Sequence, residues 1–237
     1  MQNTHSLTIT GISSMATRQL LATLVADYKK QVAVAINIES VGGVDAAKRV
    51  MNSAQTGEAF DVVILASDAI DKLIAAGHID PSSKVDLVNS GVAVAVRAGT
   101  ASPDISSEAA VKAAVLAAKT ISYSTGPSGV ALAKLFERWG IAEQIASRIV
   151  QAPPGVPVGS LVAKGEVELG FQQLSELIHL EGISIVGPLP PEIQITTTFS
   201  AGVCTASMQA DEVKAMLAYM TSPAASAAKL RQGMEIV

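Results

Sequence analysis

Short apolar runs alternate with amphipathic stretches along almost the whole chain. Leu7–Thr10, Val32–Glu39 and Phe60–Leu65 have the length and pattern of strands. Thr17–Lys30 and Ser67–Ala76 have helical periodicity. Strands and helices that alternate with short links predict a parallel sheet covered by helices on both faces.

The pattern changes twice along the chain. Val85–Arg97 reads as two adjacent strand-like runs joined at Ser90–Gly91, and Ile193–Phe199 is β-branched and extended. Between these segments the alternation restarts, with a helix predicted at Val158–Lys164 and a strand at Arg148–Gln151. Two extended crossings predict two α/β lobes that hinge and close on a cleft.

The predicted lobe boundaries follow from those crossings. Lobe 1 is expected to comprise residues 1–86 and 197–237, and lobe 2 residues 87–196. The final two helices would then return to lobe 1.

Composition excludes several classes of protein. The 237 residues are 49% apolar and carry a formal net charge of −4, so neither a basic nucleic-acid face nor a polybasic membrane patch is expected. No apolar run is long enough to span a membrane. The polar start MQNTHS is not a signal peptide, so we expect either a cytoplasmic protein or one from which an export signal has been removed. The single cysteine, Cys204, lies in an apolar stretch and is expected to be buried filler.

The first candidate site lies between the first strand and the first helix. A turn is expected at Gly11–Ser14, where Ser13 and Ser14 precede a helix N-terminus. Unpaired N–H groups and hydroxyls at a strand end form an anion cradle, although a serine here can also simply cap the helix. Arg18, about one turn into the helix, would reach a carboxylate or stay in solvent.

A second candidate site follows the second strand, at Ser40–Asp45. Its two glycines would let a ligand approach backbone amides closely. Lys48 and Arg49 lie in the first helical turns, where cations oppose the helix dipole. Either an anionic ligand or a plain surface helix accounts for them.

Three later segments complete the candidate chemistry. Ser124–Gly129 lacks the lysine of a phosphate loop but offers a second anion cradle, with Pro127 at a first helical position. Pro153–Val158 again precedes a helix, and Phe171–Gln173 follows a strand. The histidines His5, His78 and His179 are isolated, so no metal site or catalytic triad is predicted.

Several segments in order resemble a known family. These are GISSMATRQLL, DVVILASDAIDKLIAAGHI, STGPSGVALAKLFERWGI, GVPVGSLVAKGEVELGFQQLSEL and the final SPAASAAKLRQGM. The chain resembles the type II periplasmic solute-binding proteins, specifically the molybdate-binding family, from about Leu7 to Gly233. The resemblance implies two Rossmann-like α/β lobes joined by a two-stranded hinge, a periplasmic monomer without a cofactor, and a transporter of the ABC type as partner.

The resemblance also places ligand groups on this sequence. By position it implies Ser13 or Ser14 and Ser40 on the first lobe, and Ser128 and the backbone of Val158 on the second. Gln172 stands where molybdate binders have a tyrosine. The strand-end patterns and the resemblance together give these candidate ligand-binding residues: Ser13, Ser14, Met15, Arg18, Ser40, Gly42, Gly43, Lys48, Arg49, Ser67, Ser128, Gly129, Val158 and Gln172.

Two functions are compatible with these residues. The charges of Arg18, Lys48 and Arg49 suit a planar di- or tricarboxylate better than molybdate, so we expect a receptor for a small organic anion. The alternative is a cofactor-free isomerase of an unsaturated tricarboxylate, because the family has a trans-aconitate isomerase branch on the same fold. Ser14 and Lys48 are the candidates for its proton transfer, although the base remains open.

Overall fold

The computed structural model describes residues 7–153 and 155–237. The strands of the described chain are β1 (Thr8–Ser14), β2 (Ala35–Val41), β3 (Val62–Ala66), β4 (Val85–Arg97), β5 (Ile121–Tyr123), β6 (Leu169–Gln173), β7 (Ile183–Pro188), β8 (Thr196–Val203) and β9 (Met234–Ile236). Its α-helices are α1 (Arg18–Tyr28), α2 (Gly43–Met51), α3 (Ser53–Thr56), α4 (Ser67–Ala75), α5 (Glu108–Ala117), α6 (Pro127–Arg138), α7 (Ala142–Ile145), α8 (Val158–Lys164), α9 (Leu174–Leu177), α10 (Ala210–Thr221) and α11 (Ser226–Arg231). None of the described helices is long and apolar enough to cross a membrane.

The chain divides into two compact units. Unit 1 comprises Met1–Asn89 and Thr198–Val237, and unit 2 comprises Ser90–Thr197. The chain therefore passes from one unit to the other within β4 and again within β8. Unit 2 is one continuous segment, whereas unit 1 is assembled from both ends of the chain.

Unit 1 is built on parallel strands in the order β2-β1-β3, with β8 antiparallel to β3. The residues of β3 are all buried, which explains its uninterrupted apolar sequence. On one face of the sheet, α1, α10 and α11 cover a core that includes Leu24 and Met216. On the other face, α2 and α4 cover a core that includes Val50 and Ile70.

Unit 2 has its own sheet. The second half of β4 pairs antiparallel with β6 and with β7, and β5 runs parallel to β6. Phe136 of α6 and Phe171 of β6 pack edge to face in the larger core of this unit. Val158 and Val162 of α8 pack in a smaller core.

Three sequence predictions of local structure are wrong. Gly11–Ser14 is the last part of β1 and not a turn, because these residues continue the ladder with β2 and β3. Val85–Arg97 is one continuous strand across Ser90–Gly91. Arg148–Gln151 is not a strand, since only an isolated bridge joins Ile149 to β5. The helix predicted at Val158–Lys164 has those bounds.

Candidate functional site

The carboxyl ends of β1, β2 and β3 lie side by side in unit 1. In the strand register, Ser13 stands opposite Ser40 on one side and Ile64 on the other. The Oγ atoms of Ser13 and Ser40 share a hydrogen bond of 2.8 Å. These two predicted ligand serines are thus brought together, and each already has a partner inside the protein.

Ser14 differs from its neighbour, because its hydroxyl is buried without a partner. Its Oγ makes no hydrogen bond among the described residues, and the residue is only 7% exposed. Ser14 precedes a 3₁₀ turn, Met15–Thr17, but its side chain does not cap that turn. An unsatisfied buried hydroxyl costs about 1–3 kcal/mol. A ligand that accepts this hydrogen bond would recover that cost, so the capping alternative raised by the sequence does not apply here.

Helix starts surround the same strand ends. α2 begins at Gly43 after Gly42, and α4 begins at Ser67 directly after β3. No side chain caps the N-terminus of α1, α2 or α4. A Cβ atom on Gly43 would lie 3.7 Å from Ser14 Cβ, which shows that this helix start is next to the unpartnered serine. Free amides and helix dipoles favour an anion here.

Acidic side chains weaken this positive field at two of the helix starts. Asp45 lies in the first turn of α2 and Asp68 in the first turn of α4. The carboxyl of Asp45 approaches Gly42, where an added Cβ atom would meet Asp45 Oδ2 at 3.3 Å. The neighbourhood of Ser14 and Gly43 therefore depends on hydroxyl and amide donors as much as on the helix dipoles.

The three cations singled out by the sequence have different surroundings. Arg49 pairs with Glu39 at 2.9 Å and Glu58 at 2.5 Å, and its guanidinium lies 5.6 Å from the centre of the Phe60 ring. The two carboxylates raise the pKa of Arg49. Its charge is thus balanced within unit 1 and needs no ligand to explain it.

Arg18 and Lys48 have no ion pair among the described residues. Both are exposed. Arg18 opens α1 and lines an open cavity of about 800 Å³ that Ser40 also borders. Lys48 lies in the last turn of α2, away from the helix start. Of the three cations, Arg18 is therefore the one that shares a cavity with a predicted ligand serine, Ser40.

In unit 2, the segment after β5 is held tightly against α6. Ser124 Oγ lies 3.2 Å from Ser128 Oγ, and no side chain caps the helix at Gly126. A Cβ atom on Gly129 would lie 1.6 Å from the carbonyl oxygen of Ser124. Only glycine fits there, so Gly129 has a packing reason as well as its predicted ligand role.

The end of β6 holds a polar cluster that includes one group missed by the sequence reasoning. Gln172 Oε1 accepts a hydrogen bond from the Gly159 amide at 3.4 Å, next to Val158 at the start of α8. Its Nε2 donates to Glu176 Oε1 at 2.9 Å. Burial raises the pKa of the Glu176 carboxyl to about 7, against a smaller lowering by the Gln172 hydrogen bond. Gln172 is therefore occupied by protein partners, and Glu176 is the titratable group of this cluster.

Gln173, the last residue of β6, is a second buried side chain of which one polar atom lacks a hydrogen-bond partner among the described residues. Its Nε2 donates to Thr197 Oγ1 at 2.8 Å, while its Oε1 has no partner among the described residues. From the sequence, Gln173 is noted only as the end of the segment Phe171–Gln173 that follows a strand.

The remaining side chains with reactive groups either have a structural role or belong to no described cluster of potential metal ligands. Burial raises the pKa of the Cys204 thiol to about 12, as expected for filler. No group of three or more potential metal ligands occurs within residues 7–153 and 155–237. His5 lies outside the described residues.

Comparison with known proteins identifies the family. The family model of the bacterial extracellular solute-binding proteins matches residues 9–235. An aconitate isomerase from a Pseudomonas species is 35% identical over 232 residues, which are 97% of this chain and 88% of that protein. These matches confirm the resemblance stated from the sequence.

Solved structures agree with the predicted fold class. The periplasmic molybdate-binding protein of Azotobacter vinelandii superposes with a TM-score of 0.79 at 20% identity, over 97% of this chain and 99% of that one. The sulfate-binding protein of Mycobacterium tuberculosis superposes with a TM-score of 0.78 at 14% identity, over 98% and 87%. This confirms the α/β fold of the periplasmic binding proteins. The chain belongs to the family of bacterial extracellular solute-binding proteins.

Proposed function

We propose that this protein binds an aconitate-type tricarboxylate and interconverts its double-bond isomers without a cofactor. The observation that carries the proposal is the 35% identity to an aconitate isomerase along 97% of the chain. The solute-binding proteins of similar fold reach 14–20% identity in the examples above. The chain thus combines the fold of a receptor with a sequence closer to that of an enzyme.

The groups of unit 1 support the binding of a carboxylate. The Ser14 hydroxyl is buried and free to donate, and the amides that follow Met15, Gly42 and Ser67 belong to uncapped helix starts. Arg18 adds a guanidinium that forms no ion pair among the described residues and that matches the planar fork of a carboxylate. The hydrogen-bonded pair of Ser13 and Ser40 would hold the cradle in shape.

Unit 2 carries candidate donors of its own. Ser128 and the backbone at Gly129 belong to the start of α6, and Val158 begins α8. Donors placed in advance also stabilise the charge that develops during proton removal.

The chemistry needs no redox step. A base removes a proton from the methylene carbon next to one carboxylate, and the remaining electron pair spreads over the three-carbon unit and its carboxylates. Return of the proton to the far carbon shifts the double bond and gives the isomer. The protein must therefore bind the carboxylates, stabilise the anion and supply one proton-transfer group.

The second candidate function is a periplasmic receptor that delivers a small anion to an ABC-type transporter. The match of the solute-binding family model over residues 9–235 favours it. A tricarboxylate is the expected ligand because of Arg18, and a tetrahedral oxyanion is the alternative that the molybdate- and sulfate-binding proteins of this fold suggest.

Proton NMR in deuterated water separates these functions. The purified protein is mixed with trans-aconitate, and we expect cis-aconitate to form with deuterium from the solvent at the methylene carbon. Micromolar binding without conversion would favour the receptor. No conversion, together with a large thermal shift from molybdate or tungstate and none from aconitate, would contradict the carboxylate assignment.

A further inference from the structure

Glu176 has a carboxyl with one hydrogen-bond partner among the described residues. It lies in α9, directly after β6, and its Oε1 accepts a hydrogen bond from Gln172 at 2.9 Å. Its Oε2 has no hydrogen-bond partner in the described part of the chain and is not completely enclosed. No cation of the described chain pairs with it. One oxygen is thus fixed while the other is available.

Other carboxyls of the chain are used in structural contacts. Glu58 and Glu39 neutralise Arg49. Asp61 binds Thr10 through one oxygen and Ser207 through the other. Glu176 has no such role, because its contact with Gln172 leaves half of the carboxyl unused. An unpaired, half-buried carboxylate lowers the stability of the folded protein, so its presence favours a functional role.

The surroundings of Glu176 tune it for proton exchange near neutral pH. Burial raises its pKa to about 7, and the neutral Gln172 amide lowers it by less. No charged side chain contributes to this pKa. The residues of β6 nearest to α9, Gln172 and Gln173, are both neutral. A general base works best when its pKa lies near the working pH.

We propose that Glu176 removes the substrate proton and then protonates the far carbon, with Gln172 holding the carboxyl in position. This inference rests on the proposed isomerase function. Glu176 Oε2 takes the proton from the methylene carbon, and the C–H electron pair moves into the three-carbon unit. The resulting carboxylic acid exchanges its proton with the solvent, gives a proton to the far carbon and becomes a carboxylate again, so nothing is consumed.

Gln172 is a positioning residue in this proposal. Its Oε1 is held by the Gly159 amide, which orients the amide plane and directs Nε2 to Glu176. Replacing Gln172 with Met removes a hydrogen bond that favours the charged carboxylate. The pKa of Glu176 should then rise, and activity should require a higher pH.

The test compares the full-length wild type with Glu176→Gln and, as a matched control, Glu181→Gln. Glu181 is an exposed glutamate of the same unit, outside the cluster. We measure conversion of trans-aconitate by NMR between pH 5 and 9, and confirm folding by thermal melting. Glu176→Gln should lower kcat at least about 100-fold with KM within about threefold, as expected for loss of a general base. Glu181→Gln should match the wild type.

The pH profile separates catalysis from a structural role. Because the base must be ionised, wild-type kcat should fall as the pH drops below about 7. The acid limb should move to higher pH in Gln172→Met. If the wild type converts aconitate and Glu176→Gln keeps more than a third of its kcat, the Glu176 assignment is wrong while the proposed function stands. If the folded wild type converts nothing, both are wrong.

Discussion

At the strand ends of unit 1 the candidate ligand groups are hydroxyls, amides and one arginine, whereas at those of unit 2 they include a titratable carboxyl. The Ser14 hydroxyl is a donor without a partner among the described residues, while the Glu176 carboxyl has a pKa raised by burial to about 7. Neutral donors bind an anion without exchanging protons with it. The difference teaches that strand ends of the same α/β type can offer different chemistry, because the residue types placed there differ.

The glycines at the helix starts show the same contrast in packing. In unit 2, a Cβ atom on Gly129 would lie 1.6 Å from Ser124 O, whereas in unit 1 a Cβ atom on Gly43 would be 3.7 Å from Ser14 Cβ. Gly129→Ala should therefore lower the free energy of unfolding by about 3 kcal/mol or more, because overlap with backbone cannot be relieved by a side-chain shift. Thermal melting should show a loss of roughly 6–12 °C.

Gly43→Ala is the matched control, since its added methyl makes ordinary contact. Its melting temperature should stay within about 2 °C of the wild type. Equal losses in the two variants would refute the difference in packing.

The next largest effect is expected for the two adjacent serines. Ser14→Ala should weaken binding of trans-aconitate about 10- to 100-fold, because a hydrogen bond to a charged group contributes about 1.5–3 kcal/mol. The stability of this variant should not fall, since the lost hydroxyl has no partner in the part of the chain that the structure describes. Isothermal titration calorimetry measures the affinity.

Ser13→Ala sharpens this comparison. The Ser13 hydroxyl is hydrogen-bonded to Ser40. Removing it should change the affinity by less than about fivefold and lower the free energy of unfolding slightly. A stronger effect on affinity in Ser13→Ala than in Ser14→Ala would reverse the proposed roles.

The smallest effects should distinguish two arginines of unit 1. Arg18→Ala should lower affinity about tenfold at low salt, with little change in stability, because Arg18 has no ion pair among the described residues. Arg49→Ala should lower the free energy of unfolding by about 1 kcal/mol, because the ion pairs with Glu39 and Glu58 are lost. Calorimetry and melting on both variants check this, and a larger affinity loss in Arg49→Ala would contradict it.

Most of the fold prediction followed from local patterns of apolar and polar residues. The uninterrupted apolar run that forms most of β3 and the helix at Val158–Lys164 follow from local patterns alone. The extension of β1 through Gly11–Ser14 did not, because turn-forming residues there are kept in the strand by pairing with β2 and β3. Such pairing involves residues distant in sequence, so a local pattern does not contain it.

The candidate site was predictable only in part, because some of its contacts also join residues that are distant in sequence. Serines at the ends of strands could be located from the alternation of elements, and Ser13 with Ser40 are indeed neighbours. The balance of charge at Arg49 could not be foreseen, because Glu58 is nine residues away in sequence and comes close only through the fold. The pKa of Glu176 depends on burial, which its residue type alone does not predict.

Unit 1 is built from two segments that unit 2 separates in the sequence, and this has a consequence for synthesis on the ribosome. Unit 2 is complete once Thr197 has been made, but the β3 partner β8 and the covering helices α10 and α11 are made later. Until then the apolar face of β1 to β3 that these helices cover stays partly exposed. Residues 90–197 can thus complete their core while residues 7–89 still expose apolar surface.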